Sequence, residues 1–126
     1  MKSEDIKFKA KALNSGKWVE GDLLHRITDT CIATKDMDDI VYYPVDPATV
    51  CQFTGEKDMM EEDIYVGDII SNLETGSVIE VVWNDRLKRL DCKFLNADKG
   101  LEIPFGIFMS RYKRIVVIIS KLDKEK

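Results

Sequence analysis

The chain has 126 residues, 44% hydrophobic and 33% charged, and its 19 Lys and Arg against 23 Asp and Glu leave a formal charge of −4. This describes one compact domain that buries on the order of two thirds of its unfolded surface, so a core needs neither a disulfide framework nor a structural metal. The acidic balance argues against general affinity for nucleic acid or membrane surfaces. No stretch reaches the ~18 apolar residues of a membrane span, and the opening Met1-Lys2-Ser3-Glu4-Asp5 lacks the apolar core of a signal peptide, so a cytoplasmic protein is expected.

Ile6-Lys7-Phe8-Lys9-Ala10-Lys11-Ala12 alternates apolar and basic residues, the pattern of a strand whose wet face carries three lysines. After the turn cluster Asn14-Ser15-Gly16-Lys17, Trp18 to His25 reads as the return strand of a hairpin, with a bulge expected at Gly21. Thr30–Thr34 and Ile40–Tyr43 are two further short β-prone runs around the polar loop Lys35–Asp39. Pro44 stops the second run, and Asp46 followed by Pro47 signals one short helical turn. Glu56 to Asp63 reads as a charged connection.

The β signal strengthens from Ile64. In Val78–Trp83, Ile79, Val81 and Trp83 share one face and Glu80 marks the other, while Leu90, Cys92 and Phe94 alternate with Asp91 and Lys93. The intervening Asn84–Arg89 makes this an antiparallel hairpin. Leu101–Ile103 is a further short strand, and Phe105–Tyr112, apolar without a clear period, is expected as a short helix. Ile115-Val116-Val117-Ile118-Ile119 is too β-branched for a helix and is expected as a strand covered on both faces, central or buried against a second subunit. The tail 121–126 should fray. The fold class is therefore mainly β with one or two short helical segments: an antiparallel N-terminal section over residues 1–50, a linker over 51–63, and a small SH3-like barrel or strongly twisted sheet over 64–120.

Few motifs carry chemistry. Cys31, Cys51 and Cys92 form no paired spacing and, even with His25, barely make four zinc ligands, so reduced core thiols are expected. Gly16–Gly21 has the glycine spacing of a phosphate loop, but Asp22 and Leu23 stand where Lys and Ser or Thr are required. Asp36-Met37-Asp38-Asp39 begins like a calcium loop, yet Val41 and Pro47 occupy its required Gly and Glu positions. Glu61, Glu62, Asp63 and Asp68 offer carboxylates for a hard cation or acid/base work only if the fold gathers them. There is no nucleophile elbow and no His-Glu-x-x-His, so no catalytic residue, metal or cofactor is assigned. Trp83, Arg86, Lys88, Arg89 and Lys93 interleave an aromatic with basic residues and form the candidate nucleic-acid contact; Arg111, Lys113 and Arg114 make a second basic cluster. Trp18–Leu24 and Tyr65–Ile70 echo each other in placing Gly-Asp before an apolar pair, a repeated strand-entry device.

One resemblance is specific. Pro47, Thr49, Val50, Gln52, Phe53, Thr54, Gly55, Lys57 and Asp58, followed by Ile64, Tyr65, Gly67, Asp68 and Ile69, resemble the central signature of the YopX-like family of phage and prophage proteins. The opening Ile6–Lys11 and Gly16–Leu23 and the closing Arg114–Ile118 are also similar to that family. Cys51 stands where glycine is usual, Glu56 replaces a leucine, and Met59-Met60-Glu61-Glu62 lacks the usual Asn-Gly turn. The resemblance implies a small, mainly β, phage-encoded protein that is oligomeric and contains an SH3-like part, with no established activity. A non-catalytic accessory protein that binds a phage or host protein, or itself, is the leading expectation. A nucleic-acid-binding module and a carboxylate-dependent enzyme are the alternatives.

Overall fold

The computed structural model describes residues 6–96 and 102–124. Strands β1 (Phe8–Lys11), β2 (Trp18–His25), β3 (Thr30–Asp36), β4 (Asp39–Pro44), β5 (Cys51–Lys57) and β6 (Asp63–Tyr65) form one sheet in the order β4-β3-β2-β1-β5-β6. Strands β7 (Asp68–Asn72), β8 (Val78–Asn84), β9 (Arg89–Phe94), β10 (Glu102–Pro104) and β11 (Ile115–Ser120) form a second in the order β10-β9-β8-β7-β11. Helices α1 (Phe105–Arg111) and α2 (Lys121–Lys124) and a 3-10 turn at Pro47–Thr49 complete the described elements, none of them long and apolar enough to cross a membrane. Contacts divide the chain into two compact units, Met1–Gly55 and Glu56–Lys126, with the boundary inside β5. The segment 51–63, expected as a linker, is thus a strand, a tight turn and a second strand.

In the first unit, Ala10, Ile32 and Val45 form the core, with Phe8, Val19, Leu23, Tyr43 and Val50 packed around them. The alternation read from the sequence is the cause: Ala10 lies opposite Val19 and Leu23 opposite Ile32. Strand β2 changes partner midway, since Trp18–Gly21 pair with β1 and Asp22–His25 with β3. Gly21 sits at that handover and is not a bulge, because both registers run without a shift. Its role is close approach: a Cβ there would lie 2.1 Å from the carbonyl oxygen of Ala33, which only glycine avoids. The meander curls until Ala12 bridges Val45, with Leu13 N–H donating to Pro44 O at 2.9 Å and Asp46 N–H to Lys11 O at 3.0 Å, but no barrel closes. Asp46 caps the 3-10 turn by accepting from Ala48 N–H at 3.0 Å, and buried Thr49 accepts from Lys11 N–H at 2.8 Å.

In the second unit, Ile64, Ile70, Ile79, Val81, Cys92, Phe105, Phe108 and Ile115 make the core. Helix α1 starts after Pro104 and covers one sheet face because Phe105 and Phe108 project together, Phe108 resting on Tyr112 with ring centroids 5.1 Å apart. Of the two forms expected here, the open sheet is the one present and the SH3-like barrel is not closed.

Three burial expectations change. Trp83 follows Val81 in the alternation but is the last residue but one of its strand and is 52% exposed. Glu80, expected in solvent, is buried, with its carboxylate 3.7 Å from Lys121 Nζ. Of the two placements expected for it, β11 is not central; it is an edge strand, and Ile118 and Ile119 are exposed in the single chain. Residues 121–124 of the tail form a helical turn, with Lys121 N–H donating to Gly67 O at 2.8 Å; residues 125 and 126 lie outside the described residues.

Candidate functional site

The signature residues build turns and strand contacts. Asp58 is buried and organises the tight turn that follows β5. Its Oδ1 accepts from Met60 N–H at 2.8 Å and Glu62 N–H at 2.9 Å, while Oδ2 accepts from Val117 N–H of β11 at 2.9 Å. Beside it Met59 N–H donates to Ile115 O at 2.8 Å. A carboxylate and one amide thus occupy the outer main-chain side of an edge strand, a device that blocks pairing with another chain. Lys57 lies 3.4 Å from Asp63, Tyr65 N–H donates to Asp68 Oδ2 at 2.8 Å, and Gly67 N–H donates to Val81 O at 2.8 Å. Lys7 Nζ stands 4.7 Å from the centroid of buried Phe53, a cation–π contact. Gly55, at φ 89°, needs the freedom of glycine. Cys51 stays out of the left-handed region, so the glycine usual at that position is not required here; Glu61, at φ 65°, takes the left-handed turn position instead.

The candidate nucleic-acid residues are split by the sheet. Register pairs Trp83 with Leu90, Asn84 with Arg89 and Glu80 with Lys93, so Trp83 lies on the opposite face from Arg89 and Lys93. Arg86 and Lys88 are exposed on the loop, where Lys88 Nζ is 2.9 Å from Asp85. Arg89 Nε–H donates to Asp91 Oδ1 at 2.7 Å, and Asn84 Nδ2–H donates to Asp91 Oδ2 at 2.7 Å. Asp91 is 0% exposed, and sequence reading missed it because the alternation marks it only as an outward polar residue. A carboxylate two residues from an arginine, on the same strand face, was the available signal.

The three cysteines are buried thiols. Burial, reinforced by the neighbouring Asp91, pushes the Cys92 thiol up to about 12, so it is neutral and a poor nucleophile at pH 7. Arg26 holds Asp29 below its usual carboxylate range through a paired contact at 2.6 Å. Among the described residues no three His, Cys, Asp or Glu side chains gather where they could hold a metal, and Asp63 and Asp68 serve the local contacts given above.

The first unit presents the other candidate surface. On the outer face of β2–β3–β4, Leu24, Ile40 and Tyr42 are 38%, 59% and 49% exposed. Together with Ala33 they line an open depression of about 350 Å³, with Asp22 and Lys35 at its rim. Strand β4 is the sheet edge on that side. Lys9 and Lys11 lie 4.5 Å and 5.2 Å from the ring of Trp18, so two of the three N-terminal lysines sit over this indole.

Neither the models of known protein families nor the curated proteins give a match to this chain.

Proposed function

We propose that this chain is a non-catalytic binding protein that acts by self-association, in keeping with its resemblance to YopX-like phage and prophage proteins. The observation that carries the reading is the outer face of β2–β3–β4, where Leu24, Ile40 and Tyr42 stay exposed beside the edge strand β4. The two long edges differ. The Asp58 turn occupies the outer side of β11, whereas β4 from Asp39 to Tyr43 has β3 as its one strand partner among the described residues.

Two copies meeting on a two-fold axis that stacks the outer faces of β2–β3–β4 against each other cover both faces at once. Completing the burial of three half-exposed large side chains on each copy contributes gross stabilisation of about 5–8 kcal/mol. That is comparable with the lower part of the ~4–15 kcal/mol cost of association, so polar contacts around the stacked faces must supply the surplus for a dimer that dissociates in the micromolar range.

Sedimentation velocity between 1 and 100 μM tests this. The expected result is a dilution-sensitive dimer that becomes monomeric in Ile40→Lys and Tyr42→Ser variants with unchanged melting temperature. A clean monomer across the whole range refutes it and leaves a phage or host partner as the occupant.

A further inference from the structure

The tip of the β8–β9 hairpin carries a network that stability alone does not explain. Asp91 is 0% exposed, on a strand position that an aliphatic residue could fill. Burying a carboxylate with an ion-pair partner is often neutral or unfavourable compared with an apolar side chain of similar volume. What the arrangement does provide is orientation. Asp91 takes the Nε–H of Arg89 at 2.7 Å and the amide of Asn84 at 2.7 Å, and Asn84 Oδ1 in turn accepts from Leu87 N–H of the loop at 3.0 Å. The loop, the closing pair Asn84–Arg89 and the arginine fork are therefore one hydrogen-bonded unit built around a dry carboxylate.

Arg89 uses one of its five N–H donors on Asp91 and is 41% exposed. A guanidinium held at Nε keeps its η amino groups pre-organised for two parallel hydrogen bonds to an oxyanion, with little further loss of side-chain freedom. Arg86 and Lys88, both exposed, stand on the adjoining loop. Against Asp85 and Asp91 the tip from Asp85 to Asp91 keeps a net charge of +1, a local reversal of the chain's −4.

We infer that this tip binds the phosphate backbone of nucleic acid, with Arg89 as the bidentate phosphate contact, Arg86 and Lys88 as flanking cations, and Asp91 as the positioning residue. Trp83 lies on the other sheet face and takes no part, so recognition is by phosphate and independent of base sequence. The site is separate from the β4 surface and does not rest on self-association.

The test is fluorescence anisotropy of a labelled 20-nucleotide single strand with the full chain, from 20 to 150 mM salt. Binding should weaken with salt at a log–log slope of about −2, the value for three phosphate contacts. Arg89→Lys, which keeps the charge but loses the fork, should lower affinity about tenfold. Asp91→Asn raises the net charge of the tip by one, so a loss of affinity in spite of that gain is expected from the positioning role, and an affinity equal to or above that of the unaltered chain overturns that role. Arg86→Gln combined with Lys88→Gln changes exposed loop residues only and should flatten the salt slope. Lys17→Gln in the first unit and Trp83→Ala should leave affinity unchanged. Absence of salt-sensitive binding at 20 mM salt overturns the inference. So does full affinity in Arg89→Lys, or loss of binding in Trp83→Ala. If Asp91→Asn fails to fold, the Arg89→Lys result decides.

Discussion

Replacing Asp58 is the most direct probe of how the second unit is held. Its carboxylate receives three main-chain N–H groups, two from its own turn and one from Val117, 59 residues further on. Met60 and Glu62 are exposed, so water can replace the carboxylate at their amides once it is gone. Val117 N–H belongs to a half-buried strand residue and loses its acceptor, which costs about 1–3 kcal/mol. Losing the side chain that shapes the turn adds about 1 kcal/mol, by analogy with a helix N-cap. Asp58→Ala should therefore destabilise the unit by about 2–4 kcal/mol. Asp58→Asn should fall between, because its oxygen can still serve the turn while its amide faces the Val117 donor, a loss of about 1–2 kcal/mol. Trp18 and Trp83 are the only tryptophans, so a Trp18→Phe background lets urea unfolding of the second unit be followed by Trp83 fluorescence. Amide exchange at Val117 should accelerate in both variants. A change below 0.5 kcal/mol in Asp58→Ala, or unaltered exchange at Val117, would refute the reasoning.

Other expectations follow from the same geometry. Gly21→Ala places a Cβ 2.1 Å from Ala33 O and should cost about 1–3 kcal/mol, read from Trp18 fluorescence in a Trp83→Phe background; wild-type stability would mean that β2 and β3 do not approach as closely as described. Glu61, at φ 65°, occupies a conformation unfavourable for an L residue, so Glu61→Gly should raise stability by about 0.5–1 kcal/mol, with an unchanged urea midpoint as the contrary result. The Cys92 thiol is raised from the ordinary 9.0 to about 12, so the unfolded chain ionises first. Its contribution is fully present below pH 9 and is lost as pH rises toward 12; Cys92→Val should show a shallower loss of stability over that window, and identical pH slopes for the two proteins would contradict the buried thiol.

Much of the local architecture was legible in the residues. The period of two in Phe8–Lys11, Val78–Trp83 and Leu90–Phe94 gave antiparallel strands and the faces shared across β8 and β9, because alternate side chains of a strand share a face, while Asn84 and Arg89, expected in the loop, are the closing pair of the hairpin. Asp46 with Pro47 gave the short turn, and the apolar run after Pro104 gave α1. The candidate nucleic-acid cluster was legible only as a neighbourhood in sequence. The same alternation, carried one step further, separates Trp83 from Arg89 and Lys93.

Periodicity says which residues share a face, but a distant segment decides whether anything covers that face. Glu80 is buried and Trp83 exposed for that reason, although their positions in the alternation suggested the reverse. The strongly apolar Ile115–Ile119 run reads locally as a central strand, yet sheet order makes it an edge, and the carboxylate guarding that edge comes from Asp58, remote in sequence. Asp91 shows the same division. The chain alone marks it as one more outward acid between Leu90 and Cys92, while the fold removes it from water and turns it into the anchor that aims Arg89. Composition and pattern thus determined the β class, the strands and their pairing within hairpins. Which edges stay open, which charges are dry and which side chains those charges orient were decided by contacts between residues far apart along the chain.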